Sequence, residues 1–279
     1  MNGASGMAAT IAFVVSSCLP TLALAGPPAG RAVEIQTFAE SGNPGNLSEA
    51  AACVPSGWKI IGGGASVKAG KVGGLLTASY PEGNCWVGRS KAHEIQEQQR
   101  VQVVAIAIRD EANVWDVVTD TATSGKESAP SMQVRLRPGY VMTGGGARAN
   151  WTGAGSLLTA SFPATTEVWE ARAKDHGVAD PATVTAYVIG IRARRGAQPI
   201  SQVFTAQGAL ASHPEKDVTV AQGFVATGGG ARVNWTGAGN LLTESNHCCN
   251  MKTMWRAAAK DHKYPSPASL TVFAVGLKF

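Results

Sequence analysis

No stretch of the chain sustains the period of a helix, and its clearest pattern is a period-two alternation of hydrophobic and polar positions in short segments. In Trp169–His176, Trp169, Ala171, Ala173 and Asp175 fall on one face, and Glu170, Arg172, Lys174 and His176 on the other. Trp255 to His262 divides the same way. The pattern predicts a strand with its tryptophan in the core, aspartate capping the turn at its end and histidine facing solvent. Segments 101–108, 183–191 and 270–277 are rich in β-branched residues and predict buried or half-buried strands. Within them Ala107, Gly190 and Gly276 hold one position, which predicts close approach of another backbone.

These segments belong to a unit of roughly eighty residues written three times. Gly57-Trp58-Lys59-Ile60-Ile61-Gly62-Gly63-Gly64-Ala65 returns at Gly139–Ala147 and again at Gly223–Ala231. Leu-Leu-Thr follows, beginning at Leu75, Leu157 and Leu241. A tryptophan comes next (Trp86, Trp169, Trp255), and seven residues beyond each lies a histidine (His93, His176, His262). The triple glycine is expected to bend or bulge its strand, since glycine adopts unusual φ values cheaply.

The expected fold is therefore all-β. Residues 26–111, 112–197 and 198–279 are the three repeats, following a signal peptide at 1–25. Short linkers and the small core of a single unit favour closure into one pseudo-threefold domain, like a β-prism or a trefoil. Three small β-sandwich units are the alternative.

Composition narrows the class. The 279 residues are 44% hydrophobic and 15% charged, which is enough to build a core and unlike a disordered chain. The 33 glycines sit at fixed places in the repeats and are backbone devices, not low complexity. A net charge of +5 without a cluster of Lys/Arg and aromatics argues against nucleic acid as a partner. The run from Met7 to Val15, closed by Ala23-Leu24-Ala25, has the form of an export signal. A lipoprotein anchored through Cys18 is a variant of that expectation, and no later stretch is long enough for a membrane span. The expected localisation is extracellular or periplasmic. In such a compartment the remaining cysteines favour disulfides, with Cys53–Cys85 expected inside the first repeat. Cys248 and Cys249 would bond to each other or to another chain.

The repeat pattern, from Gly-aromatic and the triple glycine through the tryptophan strand to a closing Thr-Ala-Tyr-x-Ile-Gly-Ile, resembles repeats of secreted bacterial β proteins. That resemblance implies no activity.

Candidate chemistry lies in the loops. Asn150-Trp151-Thr152-Gly153 recurs as Asn234-Trp235-Thr236-Gly237. A tryptophan beside an amide in a loop suits stacking on a sugar ring and hydrogen bonding to its hydroxyls. A tryptophan folded back as a lid over the core is the competing expectation. The first repeat has Lys68–Gly73 in place of this loop and Ala92 where Asp175 and Asp261 stand, as if a two-part site had decayed there. The expected ligand-binding set is Asn150, Trp151, Asp175, His176, Asn234, Trp235, Asp261 and His262, acting on an extracellular glycan or another cell-surface ligand, with oligomerisation open. Surface adhesion or toxin delivery, and hydrolysis through the Asp-His pairs, are the rival functions. No nucleophile stands at a recognisable spacing from those pairs. His93-Glu94-Ile95-Gln96-Glu97 ends in glutamate where a zincin motif needs histidine, and the triple glycine lacks the lysine of a phosphate loop. No catalytic residue, metal or cofactor is expected.

Overall fold

The computed structural model describes residues 33–68, 74–247 and 252–279. The expected signal peptide, Cys18, Cys248 and Cys249 lie outside them. Among the described residues the chain is all-β, with eighteen strands in three six-stranded sheets and no helix. The first repeat contributes β1 (Ile35–Ser41), β2 (Leu47–Cys53), β3 (Trp58–Lys68), β4 (Leu75–Glu82), β5 (Cys85–Lys91) and β6 (Arg100–Arg109). The second contributes β7 (Trp115–Thr123), β8 (Ser131–Arg135), β9 (Val141–Asn150), β10 (Leu157–Pro163), β11 (Val168–Lys174) and β12 (Thr183–Ala193). The third contributes β13 (Ile200–Gln207), β14 (Glu215–Thr219), β15 (Val225–Asn234), β16 (Asn240–His247), β17 (Met254–Asp261) and β18 (Ser269–Lys278).

The strands of one repeat do not stay together. The sheet orders are β1-β6-β3-β16-β17-β14, β13-β18-β15-β10-β11-β8 and β2-β5-β4-β9-β12-β7. Each repeat therefore places three strands in one sheet and three in another, and each sheet joins halves of two repeats. The halves are joined narrowly, through two residue pairs: Ala160↔Arg232 and Ser161↔Ala231, Ala78↔Arg148 and Ser79↔Ala147, Glu244↔Ser66 and Ser245↔Ala65. Beyond each junction the two halves diverge. One hydrophobic cluster, including Trp86, Trp169 and Trp255, runs through all three repeats.

The strand bulges where the triple glycine begins, as expected, but none of these glycines adopts a positive φ. The ladder shift falls on the residue before it, between Ile60 and Gly62 and between Ala226 and Gly228. The glycines themselves supply space. A Cβ on Gly62 would lie 1.9 Å from the Thr227 carbonyl oxygen, and one on Gly228 would lie 2.6 Å from the Gly144 Cα, so the first glycines let repeats meet backbone to backbone. A Cβ on Gly63, Gly145 or Gly229 would enter the ring of Trp86, Trp169 or Trp255, at 2.4, 2.3 and 2.5 Å. A Cβ on Gly64, Gly146 or Gly230 would meet the carbonyl oxygen of Ser245, Ser79 or Ser161 across the junction. Each glycine of the triplet thus answers to a different neighbour. Gly190 and Gly276 make room for side chains, Leu136 and Phe204 respectively, and not for another backbone as expected.

The strand tryptophans are fully buried, and each indole Nε1 donates to a serine hydroxyl at 3.0 Å: Ser79, Ser161 and Ser245. The Cys53–Cys85 disulfide joins β2 to β5 across the ladder where these residues pair. It is compatible with an oxidising compartment. No helix of the described residues is long and apolar enough to cross a membrane.

Candidate functional site

The lysine at the end of the tryptophan strand connects repeats in two of the three copies. Lys91 and Lys174 are buried in spite of their charge. Lys91 Nζ donates to the carbonyl of Gly155 at 2.5 Å and lies 3.9 Å from the centre of the Trp151 ring. Lys174 Nζ donates to the Ala238 carbonyl and lies 3.9 Å from the centre of the Trp235 ring. A buried ammonium is costly unless it is solvated by something else, and here carbonyl dipoles and an indole face replace water. Burial pulls Lys91 down to about 8, with Asp180 acting in the opposite direction, and lowers Lys174 as well. Gly239 adopts a positive φ of 93°, and a Cβ there would lie 2.5 Å from Lys174 Nζ, so only glycine fits under the lysine.

Trp151 and Trp235 are consequently half-buried and pack against the core cluster while capping a lysine of the preceding repeat. Their loops are lids as well as surfaces. Asn150 Nδ2 donates to the Thr183 and Thr185 hydroxyls, both at 2.9 Å, and Asn234 Nδ2 donates to Ser269 and Thr271, both at 3.1 Å. Both amides are thereby held in fixed orientation beside their tryptophans.

A groove of about 400 Å³ opens where β10 and β15 diverge. Arg172, Arg232, Asn234, Trp235, Ser131 and Thr159 line it. Arg172 pairs with Glu170 at its inner end and keeps its side chain 44% exposed. Arg232 Nε donates to Asn234 Oδ1 at 3.0 Å, and its guanidinium lies 5.5 Å from the Phe162 ring centre. The groove thus presents an aromatic ring, an oriented amide, two hydroxyls and two guanidinium groups. The first junction repeats much of this set by register, with Arg148, Asn150, Trp151 and Arg89 in the matching positions.

The histidines do not join this site, and they do not face solvent. His93, His176 and His262 are 1%, 1% and 2% exposed, with ring centres 5.2, 5.5 and 5.7 Å apart. Each strand ends in a left-handed residue, Glu94 (φ 55°), Gly177 (φ 68°) and Lys263 (φ 66°), which turns the chain so that the three rings converge. His93 Nε2 donates to the His176 carbonyl at 2.7 Å, and His262 Nε2 donates to the His93 carbonyl at 2.6 Å. Burial, with His93 and His262 alongside, pulls His176 down to about 4, so it is neutral at ordinary pH.

The aspartates act locally. Asp261 accepts from the Ser266 backbone at 3.1 Å, closing a turn, and the Asp175 backbone donates to Ser128 at 2.7 Å. The apparent two-part site within one repeat is not how these residues meet. Lys91, Lys174 and His93 contact the tryptophan loop of the repeat that follows, His93 Nδ1 lying 2.9 Å from the Ala154 carbonyl oxygen. Of the eight residues expected in two sites, one in each of the last two repeats, the structure puts Asn234 and Trp235 in the groove, Asn150 and Trp151 at the corresponding junction, and His176 and His262 in a separate cluster. Arg172, Arg232 and Lys174 were missed. The lysine had a signal, since Lys91, Lys174 and Lys260 all stand two residues before the histidine. Compared with known proteins, the chain matches no family model and no curated sequence.

Proposed function

We propose that this is an exported binding protein, built as three sheets around a pseudo-threefold axis in the manner of a β-prism, that holds acidic carbohydrate in the grooves between repeats. The observation that carries the reading is the groove at the β10/β15 divergence, with Trp235, Asn234, Arg172 and Arg232 in its walls. A sugar ring offers an apolar face to an indole and hydroxyls to an amide. A carboxylate or sulfate on it would suit the two guanidinium groups, whose planar donors match such groups in pairs. Rigid walls favour this use, because Asn234 is already oriented and Trp235 is held over Lys174, so little side-chain freedom is left to lose on binding. A second site at the Trp151 junction on the same body would add avidity. The three-sided closure is supported by the sharing of each sheet between two repeats and by the glycine contacts of Gly62, Gly144 and Gly228.

A glycan array carrying matched neutral, sialylated and sulfated oligosaccharides tests the proposal. The wild-type chain should retain acidic members, and Arg172→Ala with Arg232→Ala should abolish retention without changing the melting temperature by more than a few degrees. Retention unchanged in that double variant, or no retention of any glycan by the wild type, overturns it.

A further inference from the structure

The histidine triangle has a carboxylate at its edge that the other two repeats lack. Glu94 occupies the position of Gly177 and Lys263. Its Oε2 lies 3.3 Å from His93 Nε2, while Oε1 accepts an ion pair from Lys263 at 2.9 Å. Gly177 leaves the room: a Cβ there would stand 2.9 Å from Glu94 Oε2. His176 completes the group, and the donor atoms of His93, Glu94 and His176 all lie within 4.8 Å of one another. His176 is 1% exposed, yet neither of its ring nitrogens has a hydrogen-bond partner. An unsatisfied buried polar atom is costly to the folded state, so an orphaned imidazole at the heart of a repeated core needs a reason.

We propose that His93, Glu94 and His176 form a binding site for a divalent transition-metal ion of the zinc class. Two imidazoles and a carboxylate are a common ligand set for such ions. Ligands about 2.0–2.1 Å from a tetrahedral zinc stand roughly 3.3–3.4 Å apart, which is the separation already present between His93 Nε2 and Glu94 Oε2. Bringing His176 to the same spacing needs a shift of at most about 1.5 Å, and no hydrogen bond of its ring resists it. On binding, His93 Nε2 exchanges its proton, and its bond to the His176 carbonyl, for the metal. The displaced proton goes to solvent. Lys263 holds the outer carboxylate oxygen, the role that outer partners play around metal ligands. The nearest remaining imidazole is that of His262, 5.5 Å from His93 centre to centre. The site depends on the differences between repeats, because only one of the three positions bears a carboxylate and only one is glycine.

The probe is zinc chloride, added to tag-free full-length protein stripped with a chelator, with binding followed by calorimetry and by competition with a chromophoric indicator. The expected result is one zinc per chain, proton release in weakly buffered solution and a rise in melting temperature. Glu94→Gln and His176→Gln should each weaken binding at least tenfold. If His176→Gln does not fold, Glu94→Gln decides the matter alone. No saturable binding by the wild type overturns the proposal, as does binding unchanged by Glu94→Gln. Binding that disappears in a Cys248→Ser, Cys249→Ser variant and survives Glu94→Gln places the metal elsewhere and also overturns it.

Discussion

Two sets among the seven tryptophans of this chain use one side chain for opposite ends. Trp86, Trp169 and Trp255 are wholly buried, each seated on a glycine and bonded to a serine. Trp151 and Trp235 lie just beyond the ends of the interior strands β9 and β15, half-buried, with a lysine of another repeat against the ring. The first kind occurs in every repeat and the second in two of three. The difference shows what the fold demands and what it permits. A strand tryptophan fills a volume that no smaller residue can fill, whereas a loop tryptophan caps a lysine at a junction and is absent from the first repeat's sequence.

The largest expected effect breaks the first kind. Trp169→Ala should lower the unfolding free energy by about 3–5 kcal/mol, measured by urea denaturation. Gly145→Ala attacks the same contact from the other side by driving a Cβ into the Trp169 ring and the Tyr187 carbonyl, and should cost about 1–3 kcal/mol. Ser161→Ala leaves the Trp169 Nε1 without its acceptor and should cost about 1–2 kcal/mol. Trp235→Ala removes a half-buried ring and its contact with Lys174. It should cost about 1–2 kcal/mol in stability while abolishing glycan retention at the groove, the reverse of the profile for Trp169→Ala. If Trp235→Ala proves as destabilising as Trp169→Ala, the distinction between the two kinds fails.

The smallest expected effect concerns the junction without a loop tryptophan. Glu244 stands where the other junctions have Ala78 and Ala160, and burial raises its carboxyl above the ordinary value, with Lys68 and Arg256 opposing. A raised carboxyl means that the folded state holds its proton more tightly than the unfolded state. This group therefore favours folding at low pH, and its contribution is lost as pH rises from the ordinary carboxyl value through the folded one. Glu244→Ala should stabilise the protein at pH 7 by less than about 1 kcal/mol, and the gain should disappear near pH 4, as thermal melts at the two pH values would show.

Much of the fold was legible in the sequence because it is written in local periodicity. Alternation marks the strands, and a tryptophan among alanines marks the buried face of β11 and β17. The cysteines on β2 and β5 pair as expected. The bulge at the triple glycine was legible, but its space-making role was not, because glycine in a strand signals either conformation or space, and only neighbours distinguish the two. The histidine was misjudged for a related reason. Period-two alternation put His176 on the face of the exposed Arg172, but the alternation ends with the strand at Lys174, where the chain turns toward the other two histidines. The candidate site suffered most, since Lys174 and Trp235 are about sixty positions apart and belong to different repeats.

The sequence by itself determined the threefold repetition, the all-β character, the strand tryptophans as core and the Cys53–Cys85 bond. All of these follow from residue type and spacing within one unit. Only the tertiary structure decided that each repeat divides between two sheets, that Lys91 and Lys174 are solvated by the next repeat's loop, and that three buried histidines converge beside one exposed glutamate. Those features depend on which copy of a repeated segment packs against which. Copies with the same pattern are equivalent in sequence, and their partners become distinct only when the backbone carbonyls and ring faces that they offer are placed in space.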